Sequence, residues 1–145
     1  MHFSAQRVVK KYMKKVLFVC HGNICRSVMA EYILKSIAPG IRCGSRAVSH
    51  EDTGRDIYYM AKECLDRHGI VYGPHRARVI SQEDYDSYDE IYAMDQENLR
   101  MLRWIIDDYD HKVKLLSQQE IEDPWYTNRF DEVYEEIKEG IERIL

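Results

Sequence analysis

The sequence predicts a single α/β domain, a four-stranded parallel sheet with helices on both faces. Three observations predict it. Short apolar runs alternate along the chain with stretches whose apolar residues recur every three or four positions. The first run, Val16 to Cys20, is apolar without a break, as a strand buried on both faces requires. A chain of 145 residues, 45 % of them hydrophobic, is long enough for one full core.

Val16 to Cys20 is the first expected strand. It turns through Gly22-Asn23, the residue types most tolerant of left-handed backbone. From Ser27 onward Met29, Tyr32, Ile33 and Ile37 recur at helical spacing, and Pro39-Gly40 stops that helix. Ile41 to Ser49 has the mixed polarity of an edge strand, with Arg46 as its oddest member. Residues 50–54 form a polar loop. Ile57, Met60, Ala61, Cys64, Leu65 and His68 then trace one helix face, ended by Gly69, and Cys64 is read as plain core. Ser81-Gln82-Glu83-Asp84 is an N-cap signature for a short helix. Glu90 to Met94 is a third strand. Asp95 caps the helix carrying Leu99, Leu102, Trp104, Ile105 and Ile106, and Lys112 to Leu116 is a fourth strand. After a loop containing Asp123, residues Phe130, Val133, Tyr134, Ile137, Ile141, Ile144 and Leu145 mark a closing amphipathic helix. Right-handed crossovers limit such a chain to a flavodoxin-like three-layer sandwich, with ligands at the loop after the first strand.

Composition excludes several classes. No apolar run is longer than the five residues from Val16 to Cys20, so no membrane partner is expected. Residues 1–15 hold Arg7, Lys10, Lys11, Lys14, Lys15 and no acid, which leaves 16 basic against 25 acidic residues in the remainder. So acidic a body argues against nucleic acid. Residues 1–13 are expected to be an N-terminal extension outside a core domain of residues 14–145. Four cysteines without a paired spacing suit a reducing cytoplasm. Cys20 and Cys25 lack the second pair or histidine cluster of a zinc site, and neither metal nor cofactor is expected.

Strand, tight loop and helix start, in that order, make an anion site: backbone N–H groups converge and the helix N-terminus adds partial positive charge. Here the loop opens on Cys20, whose thiolate form those groups favour, and closes on Arg26, a planar fork for two phosphoryl oxygens. A nucleophile and a phosphate clamp in one loop imply phosphoryl transfer through a cysteinyl phosphate. A cysteine and an arginine six places apart are a weak signal alone. The bland alternative is a buried thiol and a solvated helix residue. The preceding strand, the Gly-Asn turn and the Ser27 hydroxyl favour the catalytic reading.

Cys20-His21-Gly22-Asn23-Ile24-Cys25-Arg26-Ser27 resembles the active-site loop of the low-molecular-weight protein tyrosine phosphatases. Further landmarks follow in that family's order: His68-Gly69-Ile70, His75-Arg76-Ala77-Arg78, Ala93-Met94-Asp95 with Asn98-Leu99-Arg100, and Asp123-Pro124-Trp125-Tyr126. The resemblance runs from about Lys14 to the C-terminus. It implies a hydrolase of phosphotyrosine-containing proteins, with Cys20 as nucleophile, Arg26 as clamp and Asp123 as general acid and base. It also implies inorganic phosphate or another oxyanion as product or inhibitor. A turn-forming Asp-Pro is common, but tyrosinate leaves poorly without a proton, and Pro124 holds Asp123 extended. Supporting roles implied by the resemblance are Asn23 holding the loop's strained backbone, His75 and Ser45 bracing Asn23, Ser27 donating to Cys20, and Asp95 tethering the site. Cys25 beside Cys20 would make the nucleophile a redox-sensitive thiol.

Departures gather at the rim. Val28 stands where the family usually has proline, His21 where an aliphatic residue is common, and Glu51 where many relatives carry an aromatic wall. With Trp125 and Tyr126 these make a rim less apolar than usual. An arsenate reductase of the same fold needs relay cysteines, and residues 65–145 contain none. Protein-arginine phosphatases usually carry threonine at the position of Ile24. A non-catalytic phosphotyrosine-binding module is disfavoured by the intact Cys20, Arg26 and Asp123.

Overall fold

Strand β1 (Lys15–Cys20) lies inside the sheet, flanked by β2 (Arg42–Ala47) and β3 (Glu90–Ala93), with β4 (Val113–Leu115) beyond β3. All three pairings are parallel. This is a computed structural model describing residues 14–145, so the extension expected over residues 1–13 lies outside the described residues.

Period-two alternation along β1 feeds two cores. Val16, Phe18 and Cys20 face one, together with α1 (Arg26–Ile37), α2 (Tyr59–Arg67) and α6 (Phe130–Ile144). Leu17 and Val19 face the other, with α3 (Gln82–Ser87) and α4 (Gln96–Ile105). A strand sandwiched this way must be apolar throughout, which is why Val16 to Cys20 has no polar break. Burying each such side chain contributes about 1.5–3 kcal/mol. The architecture is therefore the expected three-layer sandwich.

The helix boundaries follow from local chemistry. Gly69 sits at φ 71°, past the end of α2. Ser81 and Asp84 form a reciprocal capping box on α3, and Asp95 and Asn98 form another on α4. Arg46, at the edge strand, points its fork at Asp84, with Nε and Nη2 donating at 3.1 and 3.2 Å. Burial works against that carboxylate, but the Arg46 bonds and the Ser81 cap bring Asp84 below its usual range. Two side chains at helical spacing leave the core: Trp104 is 89 % exposed and Ile37 is 40 % exposed. One element was not expected, the single turn α5 (Pro124–Thr127). Among the described residues no helix is long and apolar enough to cross a membrane.

The strand order β2-β1-β3-β4 puts the chain's reversal at β1. The loop leaving β1 therefore opens into the crevice between the diverging connections, where an open parallel sheet receives its ligands.

Candidate active site

Residues 21–25 form the loop between β1 and α1, and the carbonyls of His21, Asn23 and Ile24, with that of Cys20, are held by the surrounding chain. Cys20 O accepts from Val48 N at 3.0 Å, His21 O from Ser49 N at 3.0 Å, and Ile24 O from Tyr58 N at 2.9 Å. Asn23 O accepts from His75 Nε2 at 2.6 Å. With the carbonyls engaged outside, the amides are left to face inward. Among the described residues, no protein acceptor takes the N–H groups of Gly22, Asn23, Ile24 or Cys25. Such a row of amides at a helix start is an anion nest.

Asn23 holds this shape. It lies in the left-handed region, at φ 59°, and is fully buried. Its Nδ2 donates to Ser27 Oγ at 2.8 Å, and the Cys20 thiol donates to the same oxygen from 3.0 Å. The Ser27 N–H also reaches Sγ, at 3.4 Å. A Cβ at Gly22 would meet the Asp52 carboxylate, which would have to turn aside. The Gly22 φ is not positive, so only Asn23 of the expected Gly-Asn pair is left-handed.

Arg26 is 2 % exposed and fixed at one end of its guanidinium. Nη1 donates to Asp95 Oδ2 at 2.7 Å and to the Ile121 carbonyl at 2.8 Å. Nη2 lies 3.5 Å from Asp123 Oδ2. Burial opposes its charge, but Cys20, Asp123 and Asp95 together raise its pKa above the ordinary value. Asp95 does two jobs, since its other oxygen caps α4 through Asn98 N at 2.8 Å. Cys25 is buried, and that burial pushes its thiol strongly up.

Asp123 arrives from the far side of the crevice. Its backbone is extended at φ −85° and ψ 110°, as a residue before proline prefers, and Oδ1 caps α5 through Trp125 N at 3.0 Å. A cavity of about 120 Å³ joins these parts. Cys20, Arg26 and Asp123 line it with His21, Gly22, Ile24 and Cys25, and its mouth is formed by Glu51, Asp52, Trp125 and Tyr126. His21 Nε2 and Glu51 Oε2 meet there at 3.1 Å. The Trp125 ring leans on Tyr58, with centroids 4.6 Å apart.

Ser45 is the expected site residue that the fold keeps away. Its hydroxyl donates to Glu31 Oε1 at 2.6 Å, so it ties β2 to α1, and His75 reaches Asn23 without it. Three participants had no signal in the sequence. Asp52 and the Ile121 carbonyl are drawn in by long-range packing, and Tyr58 enters through its backbone N–H.

The sequence profile of the family described as low molecular weight phosphotyrosine protein phosphatase matches residues 15–145. The chain is 37 % identical over 147 residues to the low molecular weight protein-tyrosine-phosphatase YfkJ of Bacillus subtilis, covering 92 % of this chain and 94 % of that one. The crystal structure of the low molecular weight protein tyrosine phosphatase from Streptococcus pyogenes superposes with a TM-score of 0.85 at 36 % identity, over 92 % of this chain and 91 % of that one. Vibrio vulnificus Wzb in complex with benzylphosphonate gives a TM-score of 0.83 at 26 % identity, over 90 % of this chain and 95 % of that one. Profile, relatives and fold agree, and the chain belongs to the low molecular weight phosphotyrosine protein phosphatase family.

Proposed function

We propose that this protein hydrolyses phosphotyrosine in other proteins, in two steps through a cysteinyl phosphate. In the first, Cys20 Sγ attacks phosphorus in line and the bond to the tyrosyl oxygen breaks. Asp123 gives its proton to that oxygen as it leaves. The loop amides and the Arg26 edge carrying Nη2 hold the phosphoryl oxygens, whose charge they offset best at the transition state. In the second step the ionised Asp123 takes a proton from water, which attacks phosphorus, and inorganic phosphate and the Cys20 thiolate depart. Ser27 stabilises that thiolate as leaving group.

One observation carries this reading. Cys20, Arg26 and Asp123 line a single cavity, with Arg26 Nη2 only 3.5 Å from Asp123 Oδ2, so nucleophile, clamp and acid lie within reach of one phosphoryl group. Oxyanions as product or inhibitor fit the same nest, and the benzylphosphonate bound by Vibrio vulnificus Wzb joins an aryl ring to such a group. The Ile24 side chain on the cavity wall favours an aryl ester over a phosphoguanidinium, which calls for polar partners. Cysteine chemistry of this kind runs in a reducing compartment, in keeping with the cytoplasm.

The test is a rate comparison on phosphotyrosine, phosphoserine and phosphoarginine peptides, with Cys20→Ser as control. Phosphotyrosine is expected to turn over fastest, and the variant to turn over none. Faster phosphoarginine turnover would favour the arginine phosphatase reading. Tight phosphotyrosine binding without turnover would favour a binding module.

A further inference from the structure

A second group of ligating atoms sits away from the active-site cavity, where α2 meets α6. Cys64 on α2 and His68, its C-cap residue, are four positions apart, so both side chains emerge on one face. Asp131 belongs to the first turn of α6. Cys64 Sγ lies 3.6 Å from Asp131 Oδ1, and His68 Nε2 lies 3.0 Å from the same oxygen. Sγ, Nε2 and the carboxylate oxygen are all within 4.8 Å of one another, the one such group among the described residues. None of the three takes part in the proposed phosphoryl transfer.

We propose that Cys64, His68 and Asp131 form a binding site for a divalent transition metal of the zinc class. Zinc bonds to sulfur at about 2.3 Å and to nitrogen and oxygen at about 2.0–2.2 Å, and a tetrahedral angle then separates sulfur from oxygen by about 3.6 Å and nitrogen from oxygen by about 3.4 Å. The observed sulfur–oxygen separation of 3.6 Å matches, the nitrogen–oxygen separation of 3.0 Å needs to open slightly, and sulfur and nitrogen are within 4.8 Å. The donor set of one thiolate, one imidazole and one carboxylate selects a borderline-soft ion over magnesium or calcium. Burial is graded along the site: Cys64 is at its floor with no exposure, His68 is intermediate, and Asp131 opens to solvent, which supplies water as fourth ligand. The His68 ring lies flat against Tyr134, with centroids 3.7 Å and planes 13° apart, so its direction is fixed.

Binding exchanges one set of partners for another. Arg67 Nη2 now donates to Asp131 Oδ1 at 3.1 Å. Its side chain is half exposed and free to swing into water when the ion takes that oxygen. The Cys64 proton passes to solvent, and thiolate plus carboxylate match the ion's two charges. The ion then pins α2 to the start of α6.

The test uses cobalt(II) as a visible stand-in for zinc, in a Cys20→Ser background that removes the active-site thiolate. A thiolate-to-cobalt charge-transfer band should grow and saturate at one equivalent, and zinc should bleach it. His68→Gln and Asp131→Asn alter partly exposed groups and leave the core packed. Each should weaken cobalt binding at least about tenfold, and zinc should raise the Tm of the background protein but not of these variants. Absence of the band would overturn the proposal. So would a band whose affinity is unchanged in both His68→Gln and Asp131→Asn, since the ion would then sit on another thiol.

Discussion

Arg26 and Asp95 are 69 positions apart in the chain, yet Nη1 and Oδ2 meet at 2.7 Å beneath the phosphate-binding loop. The same carboxylate caps α4, so one side chain holds the Arg26 guanidinium and starts a helix. Asp95→Asn keeps a good N-cap but turns an amide NH2, a donor, toward Arg26 Nη1, so it loses the charge and one acceptor; Asp95→Ala loses the cap as well. Unpairing a buried guanidinium costs about 3–5 kcal/mol, with the lower end expected because Asp95 is partly exposed. Asp95→Ala should therefore lower stability by about 3 kcal/mol in urea unfolding and kcat/KM by about 10²-fold through a misplaced clamp. Asp95→Asn should retain more of the stability than of the activity. Unfolding curves of Asp95→Ala that overlay the parent's would remove the pair from the account.

The leaving group tests Asp123. Tyrosinate, with a parent pKa near 10, needs a proton to depart, and para-nitrophenolate needs it much less. Asp123→Asn should slow release from phosphotyrosine by about 10²–10⁴-fold and from para-nitrophenyl phosphate visibly less. Single-turnover release is the measurement, because in the proposed mechanism the hydrolysis step would use Asp123 for both substrates alike in steady state. Equal slowing in the burst would remove Asp123 as the acid.

At the mouth, Glu51 and Asp52 set two carboxylates beside the cavity, and His21 offsets Glu51 only when protonated. Acidic phosphotyrosine peptides should be disfavoured. Glu51→Gln should raise their kcat/KM about two- to five-fold relative to neutral peptides, an effect that shrinks as salt rises. An unchanged ratio at low salt would clear Glu51 of any part in selection.

How much of this could be read beforehand divides by the range of the forces. Val16 to Cys20 declared a doubly buried strand because burial on both faces forbids a polar residue. Ser81 and Asp95 declared helix starts because a cap is completed within three residues. Cys20, Arg26 and Asn23 were legible because one loop brings them together. What crosses the sheet left no local trace. Asp95 looked the same as a plain cap or as a tether of the site through that cap, and its pairing with Arg26 left no trace in the sequence. Ser45 looked equally fit to brace Asn23, and turned instead to Glu31. Trp104 kept helical spacing yet faces solvent, since periodicity marks a face without saying whether anything covers it.

Cys25 shares the cavity with Cys20, and its burial keeps it a protonated thiol. Peroxide should therefore oxidise Cys20 first, and Cys25 should then condense with the sulfenic acid to give a disulfide and water. Dithiothreitol should restore nearly all activity to the oxidised parent and only a minor part to oxidised Cys25→Ser, which drifts to the sulfinic state. Equal recovery would leave Cys25 as packing.

Gly140 lies in the middle of α6, where alanine ordinarily stabilises by about 1 kcal/mol. Here a Cβ would stand 2.8 Å from Leu116 Cγ and 3.1 Å from the Leu116 carbonyl. Overpacking of that kind costs about 1–3 kcal/mol. Gly140→Ala should lower the Tm despite its better helix propensity. A higher Tm would mean that Leu116 yields without strain.

The left-handed turn at Asn23 has a consequence for which anions can enter. His75, Ser27 and the outward carbonyls set the loop's curvature from behind, independently of whatever lies in front. A loop braced from behind in this way is expected to favour a tetrahedral anion over a flat one. Flat anions such as nitrate or acetate should bind more weakly, because fewer of their oxygens can meet the loop at once. Vanadate and tungstate, with phosphate's outline and different chemistry, should be held as firmly as phosphate itself.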